Sequence, residues 1–222
     1  MHEPCRSIHS PGVVVMSRER AMTLLAAAVA VAAAGPALAH HPMGGATPKT
    51  LMEGLLSGLG HPIIGIDHLA FIVGFGLLAG LSGVGVRVPL AFVAASLLGV
   101  LAEVAGRGLP GAELIVAGSV VVVGIVMALR ARAPAMVSAA FALVAGLAHG
   151  TAFAEAVIGA ETTPIVAYLA GLAAVQGLLA AAATVMGERV LALPDAGARI
   201  RPAGIVLALI GATYLVTHLV QA

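Results

Sequence analysis

The chain has 222 residues, 60% of them hydrophobic and 9% charged, with a formal net charge of +1 and a mean hydropathy of +1.09. That composition is too apolar for a water-soluble domain of this length, and the near-balanced charge supplies no basic patch for nucleic acid. The only cysteine, Cys5, excludes a disulfide framework and a thiolate metal site.

In chain order, Arg18 and Arg20 precede an apolar run over 22–34, and Gly35-Pro36-Ala37-Leu38-Ala39 has the small-residue pattern of a signal-peptidase site. The run is shorter than the roughly 20 residues that cross a bilayer, so 1–39 is predicted to be a signal-peptide region cleaved after Ala39. Met16 offers an alternative start that would leave 1–15 untranslated. The mature chain would then open on His40 and His41, either an extracytoplasmic imidazole pair that collects metal ions or a plain stub behind the signal.

Beyond a polar segment with Lys49 and Glu53, six apolar stretches follow, at about 61–80, 89–106, 112–130, 135–158, 163–187 and 203–220. Each is near spanning length, and the breaks are rich in Gly, Pro and Arg. Residues 40–222 are thus predicted to form a single transmembrane domain, an all-α polytopic bundle of about six helices. Its 28 glycines suit helices that pack closely inside lipid. Short loops imply antiparallel neighbours. With the mature N-terminus in the periplasm, Arg87, Arg130, Arg132, Arg189, Arg199 and Arg201 fall on the cytoplasmic side and Lys49 and Arg107 on the outer side, as the positive-inside rule requires of a multi-pass protein of the bacterial inner membrane.

The chemistry concentrates in the first stretch, where His61, Asp67 and His68 occupy His-Pro-Ile-Ile-Gly-Ile-Asp-His. Ionisable groups are costly in a membrane and mark ion pathways or metal sites. On a regular helix His61 and His68 share a face but stand about 10 Å apart. Pro62 and Gly65 favour an unwound first turn that lets His61 fold back toward Asp67 and His68. In the alternative reading the three groups are separate, satisfied polar contacts. The fourth stretch adds His149 and Glu155, which frame two sides of a cavity more readily than they chelate together. Gly146 and Gly150 would admit another helix there, and the first and fourth helices are expected to touch. Glu103, Glu113 and Glu161 belong to the outer side, where an acidic vestibule competes with plain dipole and interface roles. Gln176, Tyr214, Thr217 and His218 are isolated polar groups in the last two stretches. Imidazole and carboxylate ligands suit Ni, Co, Zn, Fe or Mn.

The His-Pro-x-x-Gly-x-Asp-His pattern at His61 to His68, the His-rich mature start, the six stretches and His149-Gly150 together resemble the HupE/UreJ family over nearly the whole mature chain. The resemblance implies a nickel or cobalt permease associated with hydrogenase or urease maturation, with His61, Asp67 and His68 in metal recognition or passage and His149 and Glu155 contributing. The second motif departs from the family form, with Phe153 and Ala154 before a carboxylate that stands one position early. The expectation is a secondary permease for a divalent metal cargo, without enzymatic activity or prosthetic group and with the lipid bilayer as its medium. No P-loop occurs, so direct use of ATP is not expected. An intramembrane zinc enzyme, which would lack the His-Glu-x-x-His signature, and a metal-binding accessory subunit that moves no ions are the alternatives.

Overall fold

The computed structural model describes residues 46–221, which excludes the predicted signal region, His40 and His41. Among the described residues the regular structure is entirely helical: α1 (Leu51–Ile64), α2 (Ile66–Ser82), α3 (Arg87–Val104), α4 (Ala112–Ala128), α5 (Ala135–Phe153), a 3-10 turn (Ala154–Ala156), α6 (Thr162–Leu191) and α7 (Ala196–Gln221).

The first predicted span is corrected at both its start and its middle. The helix begins ten residues early because Thr50 and Glu53 form a reciprocal capping box, in which Thr50 Oγ1 accepts the Glu53 amide and the Glu53 carboxylate accepts the Thr50 amide. It then breaks at Gly65, and α1 and α2 meet at 74°. Pro62 withholds one backbone donor in the last turn of α1, while Gly65 adopts φ −71° and ψ 98°, which any residue can reach. Glycine is required there by space rather than by dihedral freedom: a Cβ would stand 2.7 Å from Cδ2 of His68.

Four helices, α3, α5 with its 3-10 turn, α6 and α7, are long and apolar enough to cross a bilayer, and the bent α1–α2 pair makes a fifth. The remaining stretch, α4, has 17 residues and a length of about 26 Å, short of a hydrocarbon core of about 30 Å. Large apolar side chains such as Leu98, Val122, Leu143, Val166, Leu178 and Val216 face outward from successive helices, the pattern of a protein solvated by lipid. The eight arginine and lysine residues of the connections and helix ends are exposed. The predicted polar connection at 188–202 is shorter than expected, since α6 and α7 absorb most of it.

Glycine decides which helices meet. Gly54 and Gly58 of α1 lie against the backbone of Pro164 and Tyr168, and Gly76 and Gly80 of α2 against that of Ala180 and Thr184, so both half-helices run parallel to successive stretches of α6. Gly99 meets Leu147 and Gly150, while Gly146 meets Phe92 and Ser96, which couples α3 to α5, again in parallel. Gly124, Gly204 and Gly211 couple α4 to α7 in antiparallel fashion. The tightest pairs are therefore not the sequence neighbours that short loops suggested. The Gly146–Gly150 face receives α3 rather than the first span, which reaches α5 through side chains only.

Candidate metal site

His61, Asp67, His68 and His149 are all buried, with at most 1% of their surface exposed. The Gly65 break brings His61 and His68 together: their ring centroids are 6.0 Å apart, edge to face. Phe153 packs on both rings, at 5.1 Å from His61 and 4.2 Å from His68.

Hydrogen-bond direction assigns each proton. Tyr168 donates its only proton to the Phe153 carbonyl at 2.6 Å, so its oxygen can only accept from His61 Nδ1, 2.9 Å away. Neutral His61 therefore carries its proton on Nδ1 and its lone pair on Nε2. A second chain runs in the same sense. Ser119 donates to the Val116 carbonyl at 2.6 Å and accepts from His149 Nε2 at 3.1 Å. That leaves the lone pair of neutral His149 on Nδ1, where it accepts from His68 Nδ1 at 2.8 Å. His68 also presents its lone pair on Nε2. Two relays ending on backbone carbonyls thus place the proton of each imidazole of the first motif on Nδ1 and its lone pair on Nε2.

Asp67 lies in the first turn of α2, where its Oδ1 accepts the His68 amide at 2.9 Å. Its Oδ2 is buried without a hydrogen-bond partner among the described residues. The carboxylate is within electrostatic range of Glu113 on α4 and Tyr214 on α7. Glu113 in turn pairs with His218 Nε2 at 3.5 Å. Glu155 is exposed on the 3-10 turn, within electrostatic range of both Glu113 and Tyr168. It stands on the turn that follows the helix rather than inside it, because the α-helix ends at Phe153.

Below the imidazoles, toward the Arg130 end, four phenylalanines close the bundle. Phe71 touches Phe75, Phe92 and Phe141 with centroids 5.3, 4.8 and 6.0 Å away, and also packs on His149 at 4.5 Å. Beside Ser119, an apolar cleft of about 280 Å³ opens between α4 and α5. Among the described residues no three His, Cys, Asp or Glu side chains converge tightly enough to hold an ion by themselves. Sequence reasoning passed over Tyr168 and Ser119, although a phenol in an apolar helix of a chain with only two tyrosines signals a buried partner.

The family model described as HupE / UreJ protein matches residues 12–214. The chain belongs to the HupE/UreJ family. Among curated relatives of this HupE/UreJ protein, Protein HupE of Rhizobium leguminosarum bv. viciae is 33% identical over 117 residues, a match covering 52% of this chain and 59% of the relative. The alignment thus spans under two thirds of that relative's length. No solved structure matches the chain.

Proposed function

We propose that this HupE/UreJ protein is a secondary permease that carries a divalent transition-metal ion, nickel or cobalt first among them, from the periplasm to the cytoplasm. The observation that carries the reading is the twin relay that prepares His61 and His68 as neutral Nε2 donors inside an apolar bundle. Metal–imidazole bonds of about 2.0–2.1 Å place the centroids of two rings sharing one ion about 4.5–6.5 Å apart, and the observed 6.0 Å falls within that range. Two protein nitrogens with retained water suit cargo that must be released, whereas a closed set of four ligands suits a structural ion. Asp67, next to His68 in sequence, adds a carboxylate oxygen without a hydrogen-bond partner among the described residues, and Glu155, exposed on the 3-10 turn, adds an acidic group where α5 ends. The six traversals, with α4 as the short one, keep the arginine-rich ends in the cytoplasm. Supply of a hydrogenase or urease maturation system is the role this cargo suits.

The test is uptake of radiolabelled Ni²⁺ and Co²⁺ into proteoliposomes containing the purified full chain, with Zn²⁺, Mn²⁺ and Fe²⁺ as competitors. Asp67→Asn and His68→Ala are expected to reduce uptake to background while the proteins remain folded. Metal binding in detergent without any flux by the wild-type protein would refute transport and favour a binding subunit.

A further inference from the structure

Gln176 on α6 is fully buried, and its amide nitrogen has no hydrogen-bond partner among the described residues. Its other amide atom is 3.1 Å from Ser96 Oγ on α3. The Ser96 hydroxyl, however, points its one proton at the Val93 carbonyl at 2.8 Å, the shorter contact. A hydroxyl so committed can only accept, so the partner it needs from Gln176 is the NH₂ group and not the carbonyl oxygen. With the amide turned accordingly, Ser96 and the NH₂ group are mutually satisfied. The atom then left without a partner is the carbonyl oxygen, in an apolar interior where such atoms are rare outside functional positions.

The position of this oxygen matters. The pairing of Gly76 with Ala180 puts Gln176 at the level of Ile72, one helical turn beyond His68 in the direction of the Arg130 end. Ser96 lies one turn from Phe92 and against Gly146 and Gly150, the turn of α5 that carries His149. The Gln176 amide therefore stands where the imidazole cluster gives way to the four phenylalanine rings.

We propose that Gln176, oriented by Ser96, is an oxygen station for the divalent cation on the cytoplasmic side of the imidazole pair, accepting the ion or its bound water as it leaves His61 and His68. This inference rests on the transport reading above. Amide oxygen binds such ions more weakly than imidazole, as a release step requires.

The experiment compares wild type with Gln176→Leu, Gln176→Met and Gln176→Glu as full-length protein in proteoliposomes, with Ni²⁺ as the probe for uptake and calorimetric Ni²⁺ titration in detergent. Gln176→Leu is expected to lower the maximal uptake rate at least tenfold, leaving KM and the detergent affinity within about twofold, since the imidazole pair is intact. Gln176→Glu, which keeps an oxygen donor, is expected to recover uptake above the leucine level. Where leucine prevents folding, the unbranched methionine variant provides the same comparison. Wild-type rates in the folded apolar variant, or a glutamate variant no faster than it, would overturn the station. Absence of flux in the wild type would instead overturn the transport reading, and this inference with it.

Discussion

Replacing Tyr168 with phenylalanine tests the relay logic with almost no change of shape. The ring is fully buried and its hydroxyl makes two short bonds, one to the Phe153 carbonyl and one from His61 Nδ1. The variant removes the oxygen that holds the His61 proton on Nδ1, so the Nε2 lone pair is no longer selected and ring orientation is lost. Groups that orient metal-binding histidines are worth about 10–100-fold in affinity, or about 1.4–2.8 kcal/mol. Stability should fall by about 1–3 kcal/mol, since the Phe153 carbonyl and the His61 N–H both lose a partner away from water. Calorimetric titration of Ni²⁺ into detergent-solubilised Tyr168→Phe should therefore show at least tenfold weaker binding, with a parallel rise in the KM for uptake. Affinity within twofold of wild type, in a folded variant, would refute the claim that this chain of hydrogen bonds prepares His61.

Ser119→Ala interrupts the other relay, and Ni²⁺ affinity is expected to drop several-fold by the same titration. Helix pairing makes a contrast between two glycines: Gly76→Val should destabilise by about 1–3 kcal/mol or prevent folding, because its Cβ would stand 2.8 Å from the Ala180 carbonyl, whereas Gly118→Ala, with nothing within 4 Å, should leave thermal unfolding unchanged or slightly raised. Because a protonated imidazole has no lone pair to offer, Ni²⁺ affinity in detergent should weaken on acidification; affinity independent of pH over the whole range in which the protein stays folded would argue against histidine as the ligand.

The burial of the candidate cluster was legible because ionisable residues in apolar stretches are conspicuous: His61, Asp67, His68 and His149 are buried as a membrane location for such groups implies. A departure from a regular helix around Pro62 and Gly65 was legible too, but as an unwound first turn rather than the 74° break between two helices, and its cause was not. Gly65 is needed because the His68 ring occupies the space of a side chain, a fact that depends on packing three residues away. The early start of α1 was available in the Thr50-x-x-Glu53 box, but the polar look of that segment outweighed it. Glu155 was misjudged because nothing in an alanine-rich run announces that the α-helix stops at Phe153. Tyr168 and His61 are 107 residues apart, and Ser119 and His149 are 30 apart, so their pairing follows from glycine contacts whose partners cannot be read along one dimension. The spacing of Gly76 and Gly80 shows that some backbone comes close; only the assembled bundle says that it is α6.

The glycine seams divide the bundle into three blocks, α1–α2–α6, α3–α5 and α4–α7, with sparser contact across the boundaries between them. Each block owns a different share of the polar machinery: His61, Asp67, His68, Tyr168 and Gln176 on the first, Ser96 and His149 on the second, Ser119, Glu113 and His218 on the third. A small slide of one block past another would cut the relays at their inter-block links, Tyr168 to Phe153, His68 to His149 and His149 to Ser119, while every helix stayed intact. Were the transport reading correct, letting go of cargo would need no unfolding and no loose loop, only a shift between pieces that each hold one end of the same proton arrangement.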